Sequence, residues 1–173
     1  MTIEPDLKDW TWVLERPCPD CHYDAHAVDV HALPDLLLES TRAWAEVLSR
    51  PDVAVRPAPH IWSALEYACH VRDVHLVFEE RVRRMVDEDG PGFANWDQDV
   101  AAVEGRYLEQ DPAAVGAELA EAAGRAAGRY AAVQPDEWER PGLRSNGSTF
   151  TVTSLGRYHL HDVVHHLYDV GAV

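Results

Sequence analysis

The stretch Tyr158-His159-Leu160-His161-Asp162-Val163-Val164-His165-His166-Leu167-Tyr168-Asp169-Val170 carries four histidines in eight residues. Leu160, Val163, Val164, Leu167 and Val170 recur at helical spacing, and at about 3.6 residues per turn they form one stripe. The stretch therefore predicts an amphipathic helix. His161 and His165, at i and i+4, stand one turn apart on its flank and suit a shared cation. His159 and His166 lie about two turns apart, too far to share an ion, and are expected in supporting or surface positions. A solvated helix face would account for the same histidines without metal. A metal site needs a third ligand from another element.

The chain has 173 residues, enough for one domain with a full core. Its formal charge of −15, from 30 acidic against 15 basic residues, argues against nucleic acid or an anionic membrane as partner. No apolar run approaches the roughly 20 residues needed to span a bilayer, and the opening Met-Thr-Ile-Glu-Pro-Asp lacks the pattern of a signal peptide. A cytoplasmic protein is expected, and its three cysteines are then no disulfide framework.

Residues 1–32 lack sustained periodicity and read as an irregular arm with a helical turn at Asp9 to Leu14. The arm holds Cys18-Pro19-Asp20-Cys21-His22. As a haem attachment sequence this would need export, and as a redox pair a βαβ setting. As a zinc knuckle it would need a second ligand pair, and His26, His31 and Cys69 offer no recognisable spacing. A turn with free thiols is the expectation.

Residues 33–173 read as a bundle. A first helix spans Leu33 to Ser49, with Pro34 in its first turn and Pro51 beyond its end. A second opens at Ser63, whose spacing to Glu66 makes a capping box, and runs to Asp87. Its apolar stripe includes Tyr67, Val71, Val74, Phe78, Val82 and Met85, and His70 falls within it, whereas His75 is expected at the surface. A loop with Phe93 and Trp96, both candidates to line a cavity, precedes a short helix from Asp97. The third long helix starts at Asp111-Pro112 and ends near Val133, and Thr151 or Thr153 caps the last. Four such helices with no evident sheet predict an all-α, up-down-type four-helix bundle, with sites built from inward side chains on facing helices. His70 can then meet His161 and His165 as three metal-ligating nitrogens.

At these residues the chain resembles the DinB-like (DinB/YfiT) superfamily of metal-binding four-helix bundles, which includes metal-dependent thiol S-transferases and the amino-terminal domains of mycothiol-dependent maleylpyruvate isomerases. The segment from Trp62 to Asp73 is similar to the ligand motif of that family's second helix, and His161-Asp162-Val163-Val164-His165 to the H-x-x-x-H of its fourth. The resemblance implies ligands at His70, His161 and His165. The maleylpyruvate isomerase branch has a glutamate where this chain has His161, and the arm falls outside the common bundle.

The resulting expectation is a metal-dependent enzyme with an open three-histidine site. The cation is expected to be Zn²⁺, with Ni²⁺, Fe²⁺ and Mn²⁺ compatible with three imidazoles. Asp73 and Asp169 can orient ligand imidazoles, and Tyr67 and Tyr158 can bond substrate. The resemblance implies thiol transfer, or isomerisation or hydrolysis of a small electrophilic molecule, with a low-molecular-weight thiol such as mycothiol as cosubstrate. The alternative is a metal-stabilised binding or stress-response protein without turnover, its cavity holding a ligand or its bundle faces forming a homodimer.

Overall fold

In a computed structural model describing residues 9–173, local sequence signals fix where each long helix starts. Four helices make the bundle: α1 (Leu33–Arg42) continued by the short α2 (Trp44–Leu48), then α3 (Ala64–Asp87), then α5 (Pro112–Ala131) and α6 (Val152–Asp169). The short α4 (Gln98–Glu104) lies between α3 and α5. Ser63 caps α3 through the backbone of Glu66, and the Glu66 carboxylate returns a bond to the Ser63 N–H. Burial pushes the Glu66 carboxyl up, but the Arg56 and Ser63 bonds outweigh it and hold it below the ordinary carboxylate range. Asp97, Asp111 and Thr151 cap α4, α5 and α6.

The helix predicted over 33–49 is divided at Ala43. Ser40 and Thr41 donate their hydroxyls to the carbonyls of Leu36 and Leu37, the i−4 pattern that bends helices. A small sheet, absent from the sequence expectation, joins the bundle. Its middle strand β2 (Pro141–Arg144) pairs parallel with β1 (Gly92–Phe93) and antiparallel with β3 (Thr149–Thr151). Strands of two to four residues are too short to register as an alternating pattern. Since β3 runs straight into α6, the hairpin sets where α6 begins.

Both α5 and α6 pack against α1 and α3, so α1 faces α3, and α5 faces α6, across the bundle's diagonals. Two of the three consecutive pairs, α1/α3 and α5/α6, are thus diagonal, whereas α3 and α5 lie side by side. The long connections 49–63 and 132–151 make this crossing possible. At Gly156 on α6 an added Cβ would meet Leu33 Cδ1 at 2.6 Å and Tyr130 Cε1 at 3.1 Å, so any side chain there would force Leu33 to shift and press on Tyr130.

At the centre, each of the four long helices contributes one side chain to a buried hydrogen-bonded chain. Tyr130 Oη lies 3.2 Å from His159 Nδ1, His159 Nε2 lies 3.0 Å from His75 Nδ1, and His75 Nε2 lies 3.3 Å from Thr41 Oγ1. Thr41 donates to Leu37 O at 2.7 Å. His75 is therefore a core residue and not the surface residue its position around the helix suggested, and His159 likewise is buried.

The described part of the predicted 1–32 arm is residues 9–32. It folds as three short 3-10 helices, Trp10–Leu14, Ala25–Ala27 and Val30–Ala32, capped by Asp9, Asp24 and Asp29. All three contact α6, and Val13, Cys18, Tyr23 and Ala25 are buried. Tyr23 donates to Arg157 O at 2.7 Å, and Arg157 returns a bond to Val28 O at 3.0 Å. The arm is thus part of the core surface of α6. Among the described residues no helix is long and apolar enough to cross a membrane.

Candidate metal centre

Helix α6 presents two histidine-bearing faces one residue apart, about 100° round its axis. Leu160, Val163 and Leu167 are buried and fix its rotation. That rotation sends Asp162 and His166 toward α3, and His161 and His165 toward the arm.

On the α3 side, ligand atoms of His70, Asp162 and His166 lie within 4.8 Å of one another. His70 is buried, with its ring stacked on Trp96 at 5.3 Å and tilted against Trp62 at 5.3 Å. Its Nε2 stands 3.3 Å from Asp162 Oδ1, yet neither of these atoms, nor His70 Nδ1, has an aligned hydrogen-bond partner. Three buried polar atoms without partners are costly as they stand, and a cation shared by His70 and Asp162 removes much of that cost. Burial drives the His70 pKa down, so the ring is neutral and has a lone pair to offer. Burial alone would raise the Asp162 carboxyl, but His70, His166 and His161 together hold it well below the ordinary carboxylate range. His166 Nδ1 lies 2.8 Å from Asp169 Oδ2, and its Nε2 lies 3.5 Å from Asp162 Oδ1. With Nδ1–H donating to Asp169, Nε2 is the His166 nitrogen that faces His70 and Asp162 and that a cation would take.

On the arm side, ligand atoms of Cys18, Cys21, His161 and His165 lie within 4.8 Å of one another. Cys18 Sγ is 3.6 Å from His165 Nδ1, and the buried His161 Nε2 lacks a hydrogen-bond partner. Burial, with the neighbouring His165 as a lesser cause, lowers His161 to about 4. Burial also pushes the Cys21 thiol up to about 11, with Cys18 adding to the rise. Trp10 packs on both rings, at 5.8 Å from His161 and 4.9 Å from His165.

The three ligands predicted from sequence are therefore divided. His161 and His165 stand together but meet the two cysteines, and among the described residues no such group joins them to His70. The sequence reading missed Asp162 and His166 as partners of His70, although they too are spaced i,i+4. Their signal was present; the rotation of α6 that selects between the pairs was not. Asp73 accepts from Arg72 and Tyr107 rather than facing His70's ring nitrogens, whereas Asp169 bonds His166.

Both faces border a cavity of about 400 Å³. Tyr67 and Tyr158 line it, together with Trp62, His161, Asp162, His165 and His166. Phe93 is instead buried beneath Arg81, and Trp96 covers His70.

The YfiT structure from Bacillus subtilis, described as a probable metal-dependent hydrolase with an unusual four-helix bundle topology, superposes with a TM-score of 0.72. The match covers 82% of this chain and 85% of that one, at 17% identity, and so speaks to the fold. No curated protein sequence matches the chain. The family model of the DinB superfamily matches residues 35–170, a span that takes in all four long helices apart from the first two residues of α1, and leaves out the arm. The chain belongs to the DinB superfamily.

Proposed function

We propose that the protein is a metal-dependent enzyme acting on a small electrophilic molecule, with His70, Asp162 and His166 as the cation's ligands. The observation that carries this reading is the convergence of partnerless buried atoms of His70 and Asp162 with His166, beside the 400 Å³ cavity. Two imidazoles and one carboxylate are a donor set used by catalytic zinc and non-haem iron, and they leave coordination positions for water or substrate. Bound there, a divalent cation supplies a Lewis acid that polarises a substrate carbonyl and lowers the pKa of a coordinated water or thiol.

The chain's own groups do the rest. Asp169 holds the His166 ring and its tautomer, Trp62 and Trp96 keep water from His70, and Tyr67 and Tyr158 supply phenols on the cavity wall for substrate. Thiol transfer from a low-molecular-weight thiol such as mycothiol, isomerisation, and hydrolysis all fit such a centre, with Zn²⁺ as the first choice of metal. Elemental analysis combined with a screen of thiol and electrophile pairs, and of ester and amide substrates, tests the reading. Wild type should turn over one class, and His70→Ala should lose one metal equivalent together with that turnover. A His70→Ala protein retaining full metal content and rate would refute the assignment.

A further inference from the structure

The cysteines of the arm have no part in that centre, and the residues they meet on α6 are not its ligands. We propose a second metal site, a closed Zn²⁺ centre of two thiolates and two imidazoles formed by Cys18, Cys21, His161 and His165, which fastens the N-terminal arm to α6.

Four observations converge on it. The ligand atoms of all four side chains fall within 4.8 Å of one another, a complete S₂N₂ donor set of the kind that structural zinc takes. Cys18 and His161 are buried, and His161 Nε2 has no hydrogen-bond partner there. The C-x-x-C segment is folded back on itself: Cys18 N–H donates to Tyr23 O at 2.8 Å, and His22 N–H donates to Cys18 O at 3.0 Å. His22 adopts a left-handed conformation, φ 59°, within that turn. The two cysteines come from outside the segment matched by the family model, and the two histidines from inside it.

Each thiol releases its proton to solvent as its sulfur binds the cation, so loading one Zn²⁺ frees two protons, and four protein ligands leave no position for substrate. The role that follows is structural. The arm carries Trp10, which lines the substrate cavity, and a cross-link between residues 18–21 and 161–165 would hold that wall in place. The link spans 147 residues of sequence between Cys18 and His165, so it also restrains the unfolded chain.

Cobalt replacement in the full-length protein gives the direct test. Cobalt-loaded wild type should show thiolate-to-cobalt charge-transfer absorption with tetrahedral d–d bands, and His70→Ala should keep both. The Cys18→Ser/Cys21→Ser double variant should lose the charge-transfer band and one metal equivalent per chain. Alkylation mapped by peptide needs no variant: in zinc-loaded wild type Cys18 and Cys21 should be protected, and a chelator should expose both. The proposal is overturned if cobalt-loaded wild type lacks sulfur charge transfer, if chelation leaves the alkylation of both cysteines unchanged, or if anaerobically prepared protein holds a Cys18–Cys21 disulfide.

Discussion

His159 Nε2 lies 3.0 Å from His75 Nδ1 in the middle of the bundle, and the bonds on either side dictate which ring donates. Thr41 gives its proton to Leu37 O, so it accepts from His75 Nε2–H. His75 Nδ1 is then bare and accepts from His159 Nε2–H, which leaves His159 Nδ1 to accept from the Tyr130 hydroxyl. With both rings neutral, every one of these side-chain donors is used. This layer joins α1, α3, α5 and α6 and favours one register among them.

Removing the terminal donor leaves a buried acceptor unmet. Tyr130→Phe should cost about 1–3 kcal/mol of stability, read as a lower denaturant midpoint with an unchanged slope. Metal content should stay at the wild-type level, because neither proposed centre touches Tyr130.

The same layer predicts acid sensitivity. Burial lowers His75 to about 4 and, with His75 adding to the effect, lowers His159 well below its ordinary value. Between about 6.5 and 4 the unfolded chain therefore binds protons that the folded chain refuses. Stability should be fully present above the unfolded value and fall as pH drops through that window, with both rings contributing to the loss. His75→Gln keeps a donor and an acceptor but does not titrate. Its stability, measured by denaturant titration from pH 7.5 downward, should fall less steeply than that of wild type.

Asp169 acts on the proposed catalytic centre through His166. Asp169→Asn should weaken metal binding at that centre about 10–100-fold, measured by competition with a chromogenic chelator. His70→Ala should abolish it.

Ser63 tests the start of α3, the helix that carries His70. Ser63→Ala removes one arm of the capping box and the hydroxyl's bond to Glu66, and should cost about 1 kcal/mol. Thermal denaturation is sufficient to read it.

Much of this architecture was legible in sequence because it is locally encoded. Ser63 with Glu66, Asp111 before Pro112 and the stripe from Leu160 to Val170 announce helices whatever surrounds them. The divided first helix was not, since the packed structure decides whether the Ser40 and Thr41 hydroxyls turn back to the carbonyls of Leu36 and Leu37, and the strands were too short to show a period. His75 and His159 were misplaced for a different reason. A histidine off the aliphatic stripe looks solvated until a tyrosine and a threonine from two other helices are brought to it. The metal residues show the same limit. The sequence displays two i,i+4 pairs on α6, 161/165 and 162/166, and only the packed helix decides which one faces His70 and which faces the cysteines.

The most direct measurement is an anomalous difference map at the zinc edge from crystals of the zinc-loaded protein. The account predicts a peak bounded by His70, Asp162 and His166, and a second bounded by Cys18, Cys21, His161 and His165. A single peak held jointly by His70, His161 and His165, with none beside Asp162 and His166, would contradict it.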